Sequence, residues 1–380
     1  MASIAVPHGL VGDSSPESQS LVIGAKDLEG GEYGTFSNKE PEVLLEYWKN
    51  SADEKDADYT RLNTVTGRLA ECATLAFLFL QLPQIILNTK NLMTGDFAAL
   101  FAVPWMGQLT GLLGNLSLLS YFAGKRERGA MIVQAVGVAS TLIVLMQLAI
   151  AGAMPLPAFG ATATAVVVGY ILNLLNYQGL LRPSIWQVWE EAVTIGGVTV
   201  LPQVMWSTFE PALPHSMLPS MVWGTVMVSL VVLARMGKLS EKVLLYMGGV
   251  SAWTATLLFM WGPIAQMWTN YVNPANIKGL SSQTVLLAMI GNGLLLPRAL
   301  FIRDFMWFTG SSWGCSLAGE GILISMYING CVSSALFWVV SAGYVSWIGG
   351  MLHKDKRAYK LPSIFSPLRE LVSGSRQYHG

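Results

Sequence analysis

The side chains best suited to chemistry in this sequence are amides, and they stand beside prolines. Pro83 and Gln84 interrupt the apolar run FLFLQLPQIILN, with Asn88 four positions after Gln84. Pro263 and Gln266 interrupt FMWGPIAQMWTN, with Asn270 again four positions on. That spacing puts each Gln–Asn pair on one helix face. Each pair is followed by a short polar loop and then by a helix carrying Gly-Asn, at Asn115 and Asn292. An amide donates and accepts without charge, and burying it unpartnered is costly. Amides at such positions suit a neutral solute rich in hydroxyls. Asn329, in the Gly-containing context YINGCVSSALF, joins this set. Trp105, Trp206, Trp261 and Trp268 lie near the breaks, and an indole face suits the apolar C–H face of a sugar ring. The expected solute-binding residues are Gln84, Asn88, Asn115, Gln266, Asn270, Asn292 and Asn329, with Trp105 or Trp268 as the stacking surface. Gln108, Gln134 and Gln147 are assigned instead to helix–helix hydrogen bonds, and Trp313 and Trp347 to the interfacial aromatic belt.

Proline removes a helix donor and frees a carbonyl. In a membrane helix that defect is tolerated where neighbouring groups or a cavity satisfy it, and matched defects in two halves point to a transport site. Pro83, Pro104, Pro202, Pro263 and Pro297, all placed inside helices, are the expected hinges.

The elements that must hold these residues are membrane helices. The chain is 52% hydrophobic and 12% charged, against roughly 25% charged in soluble domains. Nine apolar segments, near 69–89, 97–122, 130–150, 158–178, 188–209, 217–235, 243–271, 279–301 and 321–350, match the roughly 20 residues a helix needs to span a bilayer. The reading is an all-α polytopic membrane protein of about nine spans, or ten if the Gly- and Ser-rich segment 304–321 also crosses. Residues 1–62, with twelve Asp/Glu and four Lys in the first sixty, read as an acidic, largely disordered tail, 63–352 as the transmembrane domain, and 353–380 as a polar C-terminal tail. Basic loops at 124–129, 235–242 and 298–303 share the side of Arg61 and Arg68, which positions the N-terminus on the cytosol-like side. With nine spans HKDKRAYK would fall on the opposite face; a tenth would bring it back.

No Asp, Glu, Lys, Arg or His falls in the middle of a proposed helix; Glu71, Glu191, Asp304 and Glu320 are read near helix ends. Proton- and ion-coupled transporters usually carry intramembrane ionisable groups, so the pattern favours passive movement of an uncharged solute. Cys72, Cys315 and Cys331 have no metal or redox spacing. No HExxH, Walker or GxSxG sequence is present, so no enzyme, cofactor, metal or nucleic-acid role is expected.

A third, weaker copy of the pattern joins ECAT…LPQ, from Glu71, to EAVT…LPQ, from Glu191. Copies running in the same direction imply parallel repeats about an axis along the membrane normal. The runs LQLPQIILNTKNLMTGDFAALFAVPWMGQLTGLLGNLSLLSYF, VTIGGVTVLPQVMWSTF, AWTATLLFMWGPIAQMWTN, NIKGLSS and GNGLLLPRALFIRDFMW resemble the plant maltose exporters (maltose excess proteins) of the chloroplast inner envelope, over about 65–350. More remotely, the copies resemble the three-helix repeats of PQ-loop and SWEET transporters, in which an asparagine of the last helix of each bundle faces the sugar; here that points to Asn329. The resemblance implies passive export of maltose from plastid stroma to cytosol during starch breakdown. The rivals are another PQ-loop-type exporter, which should carry an intramembrane acid, and a membrane receptor or scaffold that does not transport. Oligomeric state is left open.

Overall fold

The structure is a computed structural model that describes residues 40–209 and 213–373. Most of the expected acidic tail lies outside the described residues, and from Glu40 the backbone is already helical. The described residues are helical throughout, without a strand. Helix α1 (Glu40–Leu78) gives way at 79–81 to α2 (Leu82–Thr94). Pro83 lies in the first turn of α2, where its missing N–H is no loss. A short 3-10 segment, Phe97–Ala102, follows, N-capped by Asp96. Pro104 then stands in extended backbone as the N-cap of α3 (Trp105–Lys125). This corrects its placement inside a helix: its fixed φ separates two elements.

Four helices continue the chain: α4 (Arg128–Ile150), α5 (Leu156–Tyr177), α6 (Pro183–Thr208) and α7 (Leu218–Arg235). Next come α8 (Glu241–Val272), a second 3-10 segment (Pro274–Gly279) and α9 (Ser282–Phe301). Helix α10 (Phe305–Trp313) runs on through a π-helical segment, Gly314–Gly321, into α11 (Ile322–Ile328). Helices α12 (Ser334–Ala358) and α13 (Ser366–Ser373) complete the described chain.

The helix expected at 321–350 is therefore two. It breaks at Gly330, whose φ of 67° closes α11, and Ser333 accepts from the Leu336 N–H to start α12. The segment 304–321 is not an isolated short piece but the first two-thirds of the rod 305–328. Six helices among the described residues are long and apolar enough to cross a membrane, taking α1 and α2 together from Tyr59. Leu156, Ile171 and Leu174 of α5, Met221 and Val222 of α7, and Val339 and Val345 of α12 are large, apolar and exposed. Exposed apolar surface on this scale is what lipid covers.

The main core joins the two 3-10 segments to α3, α4 and α11 through Leu100, Leu112, Leu145, Ile277, Leu323 and Met326. At the other end of the molecule the Tyr59 ring lies 5.7 Å from that of Tyr359 and 5.0 Å from that of Phe301. The basic stretch 353–360 thus shares an end with Tyr59 and Arg61. There Arg303 bridges Asp355 at 2.9 Å and Glu370 at 3.1 Å and lies 4.3 Å over the Tyr359 ring. Burial pushes the Tyr359 hydroxyl upward from its ordinary value, and it donates to Phe301 O. This cluster fastens α13 to α9 and α12 beneath the second, smaller core of Leu296, Leu300, Met351 and Leu371.

Candidate functional site

Helix α2 needs a partner for the polar face that Gln84 and Asn88 create, and both side chains are almost fully buried, at 4% and 0% exposure. Gln84 Nε2 donates to Asn88 Oδ1 and to Gly279 O, both at 2.8 Å. Gln84 Oε1 accepts from Ser281 N at 2.8 Å. Asn88 Nδ2 donates to Gln147 Oε1, and Gln147 Nε2 reaches Ile85 O and Thr89 Oγ1. Gln147 of α4 therefore does form helix–helix hydrogen bonds, and does so at the motif itself.

The α8 amides repeat this arrangement. Gln266 Nε2 donates to Asn270 Oδ1 at 2.9 Å and to Ala102 O at 2.7 Å. Asn270 Nδ2 donates to Ser325 Oγ of α11. Gly279 and Ala102 are the last residues of the two 3-10 segments. Each glutamine thus caps the segment that follows the other one. The segments cross so closely that a Cβ on Gly279 would come within 1.8 Å of Ala99 O. The third sequence copy uses the same chemistry locally: Gln203 Nε2 donates to Ser207 Oγ and Ser216 O, and its Oε1 accepts from Ser220 N.

The Gly-Asn pairs also match. A Cβ on Gly114 would meet the Phe259 ring of α8 at 2.7 Å, and one on Gly291 would meet the Phe77 ring of α1 at 3.0 Å. Asn115 lies against Gly137 of α4 and Asn292 against Gly314 of the π segment, at 2.9 and 2.5 Å from where a Cβ would stand. Both asparagines are part-buried and donate Nδ2 to the carbonyl four residues earlier. From Gly137 to Gln147 is ten residues, but from Gly314 to Ser325 is eleven. A π segment takes up an extra residue, so Ser325 still meets Asn270 as Gln147 meets Asn88. The helix ends match too: Gly152 and Gly330 both have positive φ, with Ala153 N bonded to Leu148 O and Cys331 N to Met326 O.

One amide passed over in the sequence stands next to this seam. Gln81, in the α1–α2 break, donates to Gln108 Oε1 of α3 at 3.2 Å. Its own Oε1 is buried without a partner, as is Oε1 of Gln134, one turn before Gly137. The signal for Gln81 was its position two residues before Pro83, in LQLPQ. Of the other expected site residues, Trp105 packs against the main core. Trp268 lies 5.0 Å from the Phe209 ring at the end of α6. Asn329 is exposed at the end of α11, its Nδ2 donating to Ser325 O, and is not brought to the other amides.

Pro202, Pro263 and Pro297 lie inside continuous helices. The carbonyl that Pro297 strips of its donor is Gly293 O, which accepts the Trp347 indole N–H at 2.8 Å. Trp313 likewise donates to Met260 O, just before Pro263. These two indoles face freed or neighbouring carbonyls inside the bundle, not only an interface.

Three ionisable groups lie deeper in their helices than read: Glu71 in α1, Glu191 in α6 and Glu320. Glu320 was read near a helix end because the helix was started at 321; it lies in the π segment, well inside the rod 305–328. The expectation that no ionisable group falls in the middle of a helix therefore does not hold.

The model of the maltose excess protein 1 N-terminal domain matches residues 56–182, which contain the first amide set and Asn115. Maltose excess protein 1-like, chloroplastic, from Oryza sativa subsp. japonica is 55% identical over 316 residues, 83% of this chain and 79% of that one. The chain belongs to the maltose excess protein family. Maltose excess protein 1, chloroplastic, from Arabidopsis thaliana is 53% identical over 320 residues, 84% of this chain and 77% of that one. No solved structure matches. The match to the maltose excess family agrees with the resemblance carried by the LPQ and Gly-Asn runs.

Proposed function

We propose that this protein is a transporter carrying maltose out of the plastid across its inner envelope, down the sugar gradient, during starch breakdown. The observation that carries this reading is the reciprocal amide seam: two matched helix sets, each closing on the other, form the kind of two-state element that alternating access needs. The chloroplastic, maltose-excess names of its relatives supply the compartment and the sugar. Helices α1–α2, α3 and α4 form one repeat and α8, α9 and the rod 305–328 the other, parallel and PQ-loop-like, within ten crossings. The basic loops then face the stroma, and the seam, at the far ends of α2 and α8, is a closed gate on the cytosolic side.

Maltose meets Asn115 and Asn292 inside that gate, with the unpartnered oxygens of Gln81 and Gln134 accepting its hydroxyls. Gln84, Asn88, Gln266 and Asn270 exchange their protein partners for sugar hydroxyls as the seam parts. Trp105 and Trp268 flank the path. The α1–α2 break at Pro83 is the main hinge, since α8 remains continuous through Pro263.

Liposomes bearing the protein, loaded with labelled maltose beside glucose, sucrose and an amino acid, test the reading. Saturable maltose flux down its gradient supports it. Flux of the amino acid in place of maltose transfers the chain to another exporter class, and no flux of any solute from folded protein makes it a receptor or scaffold.

A further inference from the structure

The end of the molecule that Tyr59 and Tyr359 share carries a feature that the transport reading leaves unused. Helix α1 packs chiefly against α9, and between α1 and α12 a groove of about 110 Å³ stays open. One wall is Leu62, Val65 and Leu69, a single stripe of α1 at helical spacing. The other is Trp347, Gly350 and Met351, on one face of α12, and the buried Pro297 of α9 lines the groove between them. At 1.5 Å per residue, Leu62 to Leu69 runs roughly 10 Å along the axis, and Ser346 to Lys354 of α12 covers about as much. The groove faces the outside of the bundle, where lipid lies. Val65 is 41% exposed and Trp347 38%, and a Cβ on Gly350 would meet nothing within 4 Å.

Its charge is all at one end. Lys354 lines the groove at the end nearest Tyr359, and among the described residues it makes no ion pair. Asp355 beside it is nearly enclosed and held by Arg303 at 2.9 Å, so it does not claim the Lys354 ammonium. Arg298, next to Pro297, reaches the α1 wall. It donates to Asn63 Oδ1 at 2.6 Å and to Thr66 Oγ1, which lines the groove, at 3.4 Å. Arg61, next to Leu62, is exposed at the same end.

An apolar slot with cations at its water end selects its occupant. A helix about 10 Å across is far too wide for it. A sugar would face mainly hydrocarbon, and a free phosphate would leave the apolar length empty. Basic pockets between membrane helices hold anionic lipid headgroups. We propose that the groove between α1 and α12 binds one anionic glycerolipid. One acyl chain lies along the α1 stripe over Gly350, and Lys354 and Arg298 hold the headgroup phosphate. The lipid fills the space that the protein's own side chains leave between α1 and α12, and so fastens the two together. The site stands independently of the transport reading and is measured without flux.

The test uses the full chain purified in neutral detergent. It is titrated with phosphatidylglycerol or with phosphatidylcholine of the same acyl chains, and read by native mass spectrometry and thermal unfolding. Wild type should retain one phosphatidylglycerol and unfold at a higher temperature with it than with phosphatidylcholine. Lys354→Gln, a change at an exposed residue, should weaken phosphatidylglycerol binding about fivefold, the worth of one cation near a headgroup. It should also make the binding less sensitive to salt. Gly350→Leu puts a side chain into the open groove. Without lipid it should unfold no lower than wild type, and it should lose both the bound lipid and the stabilisation. Glycerol phosphate, which has the headgroup charge but no acyl chain, should not displace the lipid. Equal retention of the two lipids by wild type overturns the proposal, as does unchanged phosphatidylglycerol binding in either variant. Displacement by glycerol phosphate overturns it too, by making the site one for a soluble anion.

Discussion

Gln84 Nε2 and Gly279 O meet at 2.8 Å across 195 residues of chain, and the contact is returned by Gln266 on Ala102 O. Each bond joins a side chain from one helix set to the backbone that follows the other, so neither set can move away from its partner without exposing a bare carbonyl. Gln84→Ala and Gln266→Ala should each cost about 1–2 kcal/mol, read as a lower midpoint of thermal unfolding. Since both bonds close one seam, the double substitution should depart from additivity by at least about 0.5 kcal/mol.

Gly279 is the tightest point of that seam. A Cβ there would lie 1.8 Å from Ala99 O, which is backbone and cannot swing aside. Gly279→Ala should fail to accumulate as folded protein or lose well over about 3 kcal/mol, beyond ordinary overpacking. Gly262→Ala meets Gly107 O only at 3.4 Å and should be tolerated, which size-exclusion profiles of the two purified variants will separate.

Trp347 and Pro297 form a pair that a thermodynamic cycle can expose. The indole supplies to Gly293 O the donor that Pro297 lacks. Trp347→Phe should cost about 1–2 kcal/mol with Pro297 present. In a Pro297→Ala background the helix regains its own N–H, and the cost of Trp347→Phe should fall by about 1 kcal/mol in the same unfolding assay.

Asn292 has no spare room beside Gly314, where a Cβ would come within 2.5 Å. Gly314→Ala should displace the amide and lower maltose flux by about tenfold, the worth of one solute hydrogen bond. Gly137→Ala should do the same to Asn115. Normal flux in both variants would remove the two asparagines from the solute path.

At the opposite end, Asp355 and Arg303 are both nearly enclosed, with side-chain exposures of 4% and 8%, whereas Glu370 is 36% exposed. Asp355→Ala removes the enclosed partner of Arg303, leaving it only the more exposed Glu370, and should cost about 3 kcal/mol. Glu370→Ala should cost under about 1 kcal/mol. Thermal unfolding of the two variants gives the comparison.

The amides were legible because Gln84–Asn88 and Gln266–Asn270 share a spacing and a following Gly-Asn helix. Their partners were not, since Gly279 and Ala102 contribute backbone carbonyls, which carry no side-chain signature. Gln147 looked like plain helix–helix glue and is glue, but which face it holds depends on packing. The exposed place of Asn329 at the end of α11 was not legible, because a helix-ending asparagine before glycine and a solute-facing one look alike in YINGC. Pro104 misled because an extended proline between two apolar stretches leaves the hydropathy unbroken. Glu320 was lost with one boundary: the π segment is rich in Gly and Ser, which masks a continuous rod.

The meeting of Tyr59 with Phe301 and Tyr359 has a consequence for biosynthesis. Helix α1 packs chiefly against α9, which leaves the ribosome more than two hundred residues later. The first span to be made must wait in the bilayer, its main neighbour absent, until α9 arrives. A chain shortened before Ser282 would leave α1 without its main support, so such nascent or truncated forms should be degraded well before they are able to act as partial copies of the whole.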